Sequence, residues 1–112
     1  MSYDPKRWSP WGAVQTFKEI APGIYHVTTA GHGGFGVSED RLKEMPKPLQ
    51  EFETWAGRGW YEEDCDWAIV VIAFSSFFDT PTVDAARLTF GIPYFKEVRE
   101  RYEAYCQADQ NV

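Results

Sequence analysis

A chain of 112 residues with 44% hydrophobic and 17% aromatic side chains makes one folded domain with an aromatic-rich core, which excludes intrinsic disorder. Seventeen acidic against eleven basic side chains leave a net charge of -6, and an acidic surface repels a phosphate backbone, so direct nucleic-acid binding is not expected. Only Cys65 and Cys106 are available for a disulfide. No apolar leader begins the chain and no apolar run is long enough for a bilayer, so the expectation is a cytoplasmic protein with reduced thiols and no membrane association.

Residues 1–12 carry Pro5, Pro10, Trp8 and Trp11 and read as an extended N-terminal arm whose indoles cover an edge of the core. Residues 13–20 alternate like a half-buried strand. A second strand follows at 23–30, and Ala21-Pro22-Gly23 supplies the turn of an antiparallel hairpin. Residues 35–38 form a short third strand.

Between these strands, Gly31-His32-Gly33-Gly34-Phe35-Gly36 satisfies the glycine pattern of a dinucleotide loop. The repeated strand-helix units of a dinucleotide fold are missing, so the segment reads as a loop whose glycines permit positive torsions or close backbone packing. Ser38 caps a helix through Met45, with Glu39 and Asp40 in its first turn, until Pro46 and Pro48 intervene. Residues 49–56 then form a short helix with Leu49, Phe52 and Trp55 on one face.

The chain is organised around residues 59–78, where the densest acidic cluster runs directly into the longest apolar stretch. From Trp67 to Phe78 only Ser75 and Ser76 are polar, and a helix of that composition is buried on nearly every side. Asp64 is its expected N-cap, and Glu62, Glu63, Asp64 and Asp66 place negative charge where the helix begins. Beyond it, Thr80 caps a helix with Pro81 in the first position, which runs to Phe90 and ends at Gly91. A last helix starts at Pro93 and continues to about Gln107, with Phe95, Val98, Tyr102 and Tyr105 facing the core and Glu97 paired to Arg101 on the surface. The fold class is therefore α+β in a single domain, 1–112. A small antiparallel sheet, made of the hairpin and one short strand, is packed by four to five helices around a buried central helix.

Charge is uneven along the chain. Residues 1–56 hold six basic and seven acidic side chains, whereas 57–112 hold five basic and ten acidic, and the segment 59–86 contains no Lys or Arg. Acidic side chains interleaved with aromatic ones describe a protein-binding surface on which aromatics anchor and charge steers. The partner-binding residues expected on this ground are Glu62, Glu63, Asp64, Asp66, Trp60 and Tyr61. The partner is then a protein with a basic surface, such as a groove that normally holds nucleic acid.

The competing expectation is a small enzyme with Cys65 as nucleophile and His32 or His26 as base. A helix N-terminus favours the thiolate, but four neighbouring carboxylates oppose it and outweigh the helix. Metal binding by His26, His32, Cys65 and the carboxylates lacks any paired ligand spacing, so no metal or other cofactor is expected. Paired carboxylates for acid-base work are present but none is singled out, and the GxSxG nucleophile elbow is absent.

The order of Ser9-Pro10-Trp11-Gly12, Ala21-Pro22-Gly23-Ile24, Thr28-Thr29-Ala30-Gly31-His32-Gly33-Gly34, Met45-Pro46 and Gly59-Trp60-Tyr61-Glu62-Glu63-Asp64-Cys65-Asp66-Trp67-Ala68 resembles an uncharacterised family of bacterial, plasmid and phage proteins. The likeness covers most of residues 9–78, with departures at Gly31 and at Ser75-Ser76. It implies no activity, since the family has none assigned. It does imply a mobile-element setting, in which small acidic proteins bind and block host defence machinery, a restriction or CRISPR nuclease among them.

Overall fold

In a computed structural model, which describes residues 6–110, the chain folds as α+β, with two antiparallel sheets and five α-helices among those residues. The smaller sheet is a tight ribbon of β1 (Trp8–Ser9) and β2 (Gly12–Ala13). It replaces the second half of the expected arm, whose first five residues lie outside the described ones. The larger sheet has four strands in chain order: β3 (Thr16–Ala21), β4 (Ile24–Thr28), β5 (Gly33–Val37) and β6 (Trp60–Glu62).

The expected hairpin is β3 and β4, registered with Thr16 opposite Thr28 and Phe17 opposite Val27. Gly23 turns it at φ 84°, a torsion that a side chain disfavours. The glycine segment departs from expectation. Rather than a loop, Gly33 to Val37 is a fully buried strand between β4 and β6.

Alternation along the strands sorts the sheet into two faces. Ile24, Phe35, Val37 and Tyr61 point into the main core. On the other face Gly34 and Gly36 leave a shelf that two tryptophans fill. A Cβ on Gly36 would lie 2.8 Å from the Trp60 ring, and one on Gly34 would meet the Tyr61 carbonyl oxygen and lie 2.8 Å from Trp11. The two indoles meet edge to face with centroids 5.7 Å apart. The glycines are thus spent on close packing, which is why a glycine-rich stretch can be a central strand here.

Ser38 caps α1 (Glu39–Leu42), its Oγ accepting the Arg41 amide. The helix was expected to reach Met45 but stops after one turn, where Met45 closes a tighter bond to the Leu42 carbonyl ahead of Pro46. α2 (Lys47–Glu51) begins and ends before its expected span, because Phe52 leaves the helical region at ψ 127° and sends its ring against Tyr94 and Phe95.

The central helix, α3 (Trp67–Ala73), is buried as expected, with Ala68, Ile69, Val70 and Val71 wholly inaccessible. Each of the larger three stabilises the fold by about 1.5–3 kcal/mol relative to exposure. It is shorter than expected at both ends. Trp60 to Glu62 is taken by the sheet, residues 63–66 turn, and Asp66 rather than Asp64 stands at the N-cap without capping through its side chain. At the other end Phe74, at φ -125°, breaks into a 3-10 turn, Ser75–Phe77.

α4 (Thr80–Phe90) is capped one residue earlier than expected, Asp79 Oδ1 accepting the Thr82 amide at 2.9 Å, and ends at Gly91. A 3-10 turn, Pro93–Phe95, leads into α5 (Lys96–Gln110). Phe95 and Val98 are core, Tyr102 is half-buried and Tyr105 is exposed. Arg101 reaches Glu51 at 3.0 Å and joins α5 to α2, where a pairing to Glu97 was expected. None of the described helices is long and apolar enough to cross a membrane.

Candidate functional site

Two chain segments meet at the carboxylate of Asp66. Phe52 carries the chain off α2 in an extended conformation, and a turn from Thr54 to Gly57, with Gly57 at φ 106°, projects Trp55 outward. Pro93 starts the turn before α5 that carries Tyr94 to the same cleft. Asp66 Oδ2 accepts the Trp55 backbone N–H at 2.9 Å, and Oδ1 accepts the Tyr94 hydroxyl at 2.9 Å.

Asp66 is 2% exposed and is the one buried charged side chain among the described residues. A carboxylate so placed is tolerable because both oxygens are hydrogen-bonded. Burial, then the Asp66 hydrogen bond and charge, push the Tyr94 phenol well above the ordinary tyrosine range, so it remains a donor.

Above Asp66 opens a cleft of about 200 Å³, lined by Trp55, Glu62, Asp64, Cys65, Asp66 and Tyr94. Its aromatic rings face water: Trp55 is 84% exposed and Tyr94 50%. No Lys or Arg lines it. Glu63 and Asp64 are exposed on the turn, and Glu62, mostly buried at the end of β6, lies with Oε1 3.3 Å from His32 Nδ1.

Trp60 and Tyr61, expected beside the carboxylates as anchors, are buried at 9% and 2% exposure. Trp60 fills the glycine shelf. Tyr61 points into the core, where its hydroxyl meets Met45 Sδ at 3.8 Å, and burial pushes its pKa up to about 12. The exposed aromatics at the cleft are Trp55, expected on a helix face with Leu49 and Phe52, and Tyr94, not singled out from the sequence. Each carries a legible local signal: Trp55 is followed by Ala56-Gly57, a turn composition, and Tyr94 by position follows a helix-starting proline.

The residues of the enzyme expectation are distributed differently. Cys65 lines the cleft, but partial burial and then Asp66, Asp64 and Glu62 push its thiol up, away from thiolate. His32 sits at the end of the turn 29–32, where its carbonyl accepts the Thr29 amide, and it does not line the cleft. His26 lies edge-on to Phe35 with centroids 5.3 Å apart, and burial lowers its pKa against the pull of Glu63. Among the described residues no group of three or more His, Cys, Asp or Glu is arranged to hold a metal ion.

These features define a small α+β domain with an acidic, aromatic-walled cleft on its surface. The chain belongs to the family described as a domain of unknown function (DUF7007), whose sequence model matches residues 4–109. An uncharacterised family is what the sequence resemblance implied. Comparison with curated proteins and with solved structures gives no match.

Proposed function

We propose that this domain is a protein-binding module that docks its acidic, aromatic face onto a basic surface of a protein partner. Trp55 carries the proposal. An indole 84% exposed, carried on a backbone that is held to a buried carboxylate, is an apolar surface presented to water. Exposed aromatics bordered by charge are what interface anchors look like. Glu62, Glu63 and Asp64 supply the steering charge, whereas Trp60 and Tyr61 are buried and do not line the cleft.

A groove that normally binds nucleic acid is the basic surface of matching character, and filling it inhibits the protein that bears it. With the resemblance to phage and plasmid proteins, this supports an anti-defence role, in which the domain occupies the nucleic-acid channel of a restriction or CRISPR nuclease. The enzyme reading gains no support from the cleft, because burial and then the neighbouring carboxylates push the Cys65 thiol up, away from thiolate.

The test is capture from bacterial lysate with the tagged full chain, washed at rising salt, beside a Glu63→Lys/Asp64→Lys variant. The expected result is a nucleic-acid-binding protein that is released as salt rises and is not retained by the variant. Identical, salt-insensitive retention by both proteins, or recovery of the chain alone, would overturn the proposal.

A further inference from the structure

We infer that the cleft receives one arginine side chain of the partner, stacked between Trp55 and Tyr94 and bonded to Glu62 and Asp64. This rests on the binding reading above and sharpens it from a surface to a single contact. Three properties of the cleft select a guanidinium.

The first is size. A volume of about 200 Å³ lies below the roughly 300 Å³ at which sites for small molecules and cofactors begin, and suits one inserted side chain. The second is the walls. A planar, weakly hydrated cation stacks on an indole face, whereas the compact, strongly hydrated ammonium of lysine does so less well. The third is charge. Glu62 and Asp64 offer carboxylate acceptors with no Lys or Arg in the lining to neutralise them, and a carboxylate matches the guanidinium fork.

Asp66 is a positioning residue in this arrangement. Both its oxygens are already engaged, one by the Trp55 backbone and one by the Tyr94 hydroxyl, so a single buried carboxylate positions the loop that carries Trp55 and the Tyr94 ring. Glu62 is shared with His32, and Asp64 is the exposed acceptor. Tyr94, held by its own hydroxyl, loses little further freedom when the cation enters.

The experiment is an NMR titration of the isotope-labelled full chain with three capped tripeptides, Gly-Arg-Gly, Gly-Lys-Gly and Gly-citrulline-Gly, read at the Trp55 indole N–H. The arginine peptide is expected to shift that resonance, the lysine peptide to bind more weakly and the uncharged citrulline peptide to leave it unmoved. Asp64→Asn should weaken the arginine peptide by about threefold, as loss of an exposed ion pair does. Trp55→Ala, which removes an exposed side chain and keeps the fold, should abolish its binding at the cleft, read at the neighbouring Cys65 and Asp66 amides. Equal response to citrulline, equal response to lysine, or a shift confined to residues outside the cleft would overturn the arginine assignment. The two readings fail separately. If charge reversal abolishes capture of a partner while the arginine peptide leaves Trp55 unmoved, the binding module stands and the arginine receptor falls. If the peptide binds at Trp55 but no salt-sensitive partner is captured, the receptor stands and the partner reading falls.

Discussion

Trp60 lies over Gly36 with its edge against Trp11, 9% exposed, while Trp55, just before it in the chain, stands 84% exposed on a loop tied to one buried carboxylate. Both flank the acidic run 62–66 on its N-terminal side. What separates them is the room made for each. Gly36 of β5 lacks the side chain that would bar Trp60 from the sheet, whereas Asp66 holds the backbone beneath Trp55 and leaves its ring in water. For these two tryptophans, a glycine opposite one and a carboxylate beneath the other decide between core and surface.

The sharpest way to break that contrast is at the glycine shelf. Gly34→Ala drives a methyl group into the Tyr61 carbonyl oxygen and toward Trp11, and is expected to cost about 3 kcal/mol, read as a lower denaturant midpoint. Next is the carboxylate on the other side of the comparison. Asp66→Ala strips the Trp55 amide and the Tyr94 hydroxyl of their acceptor and should cost roughly 2–3 kcal/mol, with faster hydrogen exchange at the Trp55 amide. Asp66→Asn keeps an acceptor and should lose less.

A smaller effect appears only in alkali. Tyr61 titrates at about 12 in the fold against an ordinary value of 10, so the unfolded chain releases its proton first as pH rises. Its contribution is complete below pH 10 and is lost progressively toward pH 12, a loss of about 1.4 kcal/mol by pH 11. Tyr61→Phe should remove this part of the alkaline slope in denaturation curves, while the raised Tyr94 phenol keeps its own share. Smallest of all is Trp55→Ala, expected to move stability by no more than about 0.5 kcal/mol by thermal melting, because the indole is exposed.

The hairpin, the buried character of α3 and the helix punctuation at Ser38, Pro81 and Gly91 were legible because each follows from local chemistry: strand alternation, an all-apolar run, and residues suited to caps. Register and boundary were not. The acidic run at 62–66 looked like the start of a helix because carboxylates favour that position, yet pairing of Trp60 to Glu62 with the glycine strand took precedence, a tertiary preference that no local window contains. The same pairing explains why Gly33 to Gly36 read as a loop. Glycine runs are strands only when something large fills the space above them, and here Trp11 and Trp60 are distant in sequence from the shelf they cover.

The candidate site was half legible. Glu62, Asp64, Cys65 and Asp66 are consecutive or nearly so and were visible as a cluster, but the cleft also needs Tyr94, which the fold brings to Asp66 from 28 residues away. Trp55 was assigned to a helix face because its spacing from Leu49 and Phe52 is helical. The extended Phe52 backbone breaks that spacing and turns the indole outward.

The most direct test of the binding face is quantitative capture of the same partner by the wild-type chain, Trp55→Ala and Glu63→Lys/Asp64→Lys, at one low salt concentration and equal folded protein. If the face formed by the exposed indole and the turn carboxylates binds a basic partner, both variants retain their melting temperature and lose most of the captured protein. Retention of the partner by both variants at the wild-type level would contradict the account and place the interaction elsewhere on the molecule.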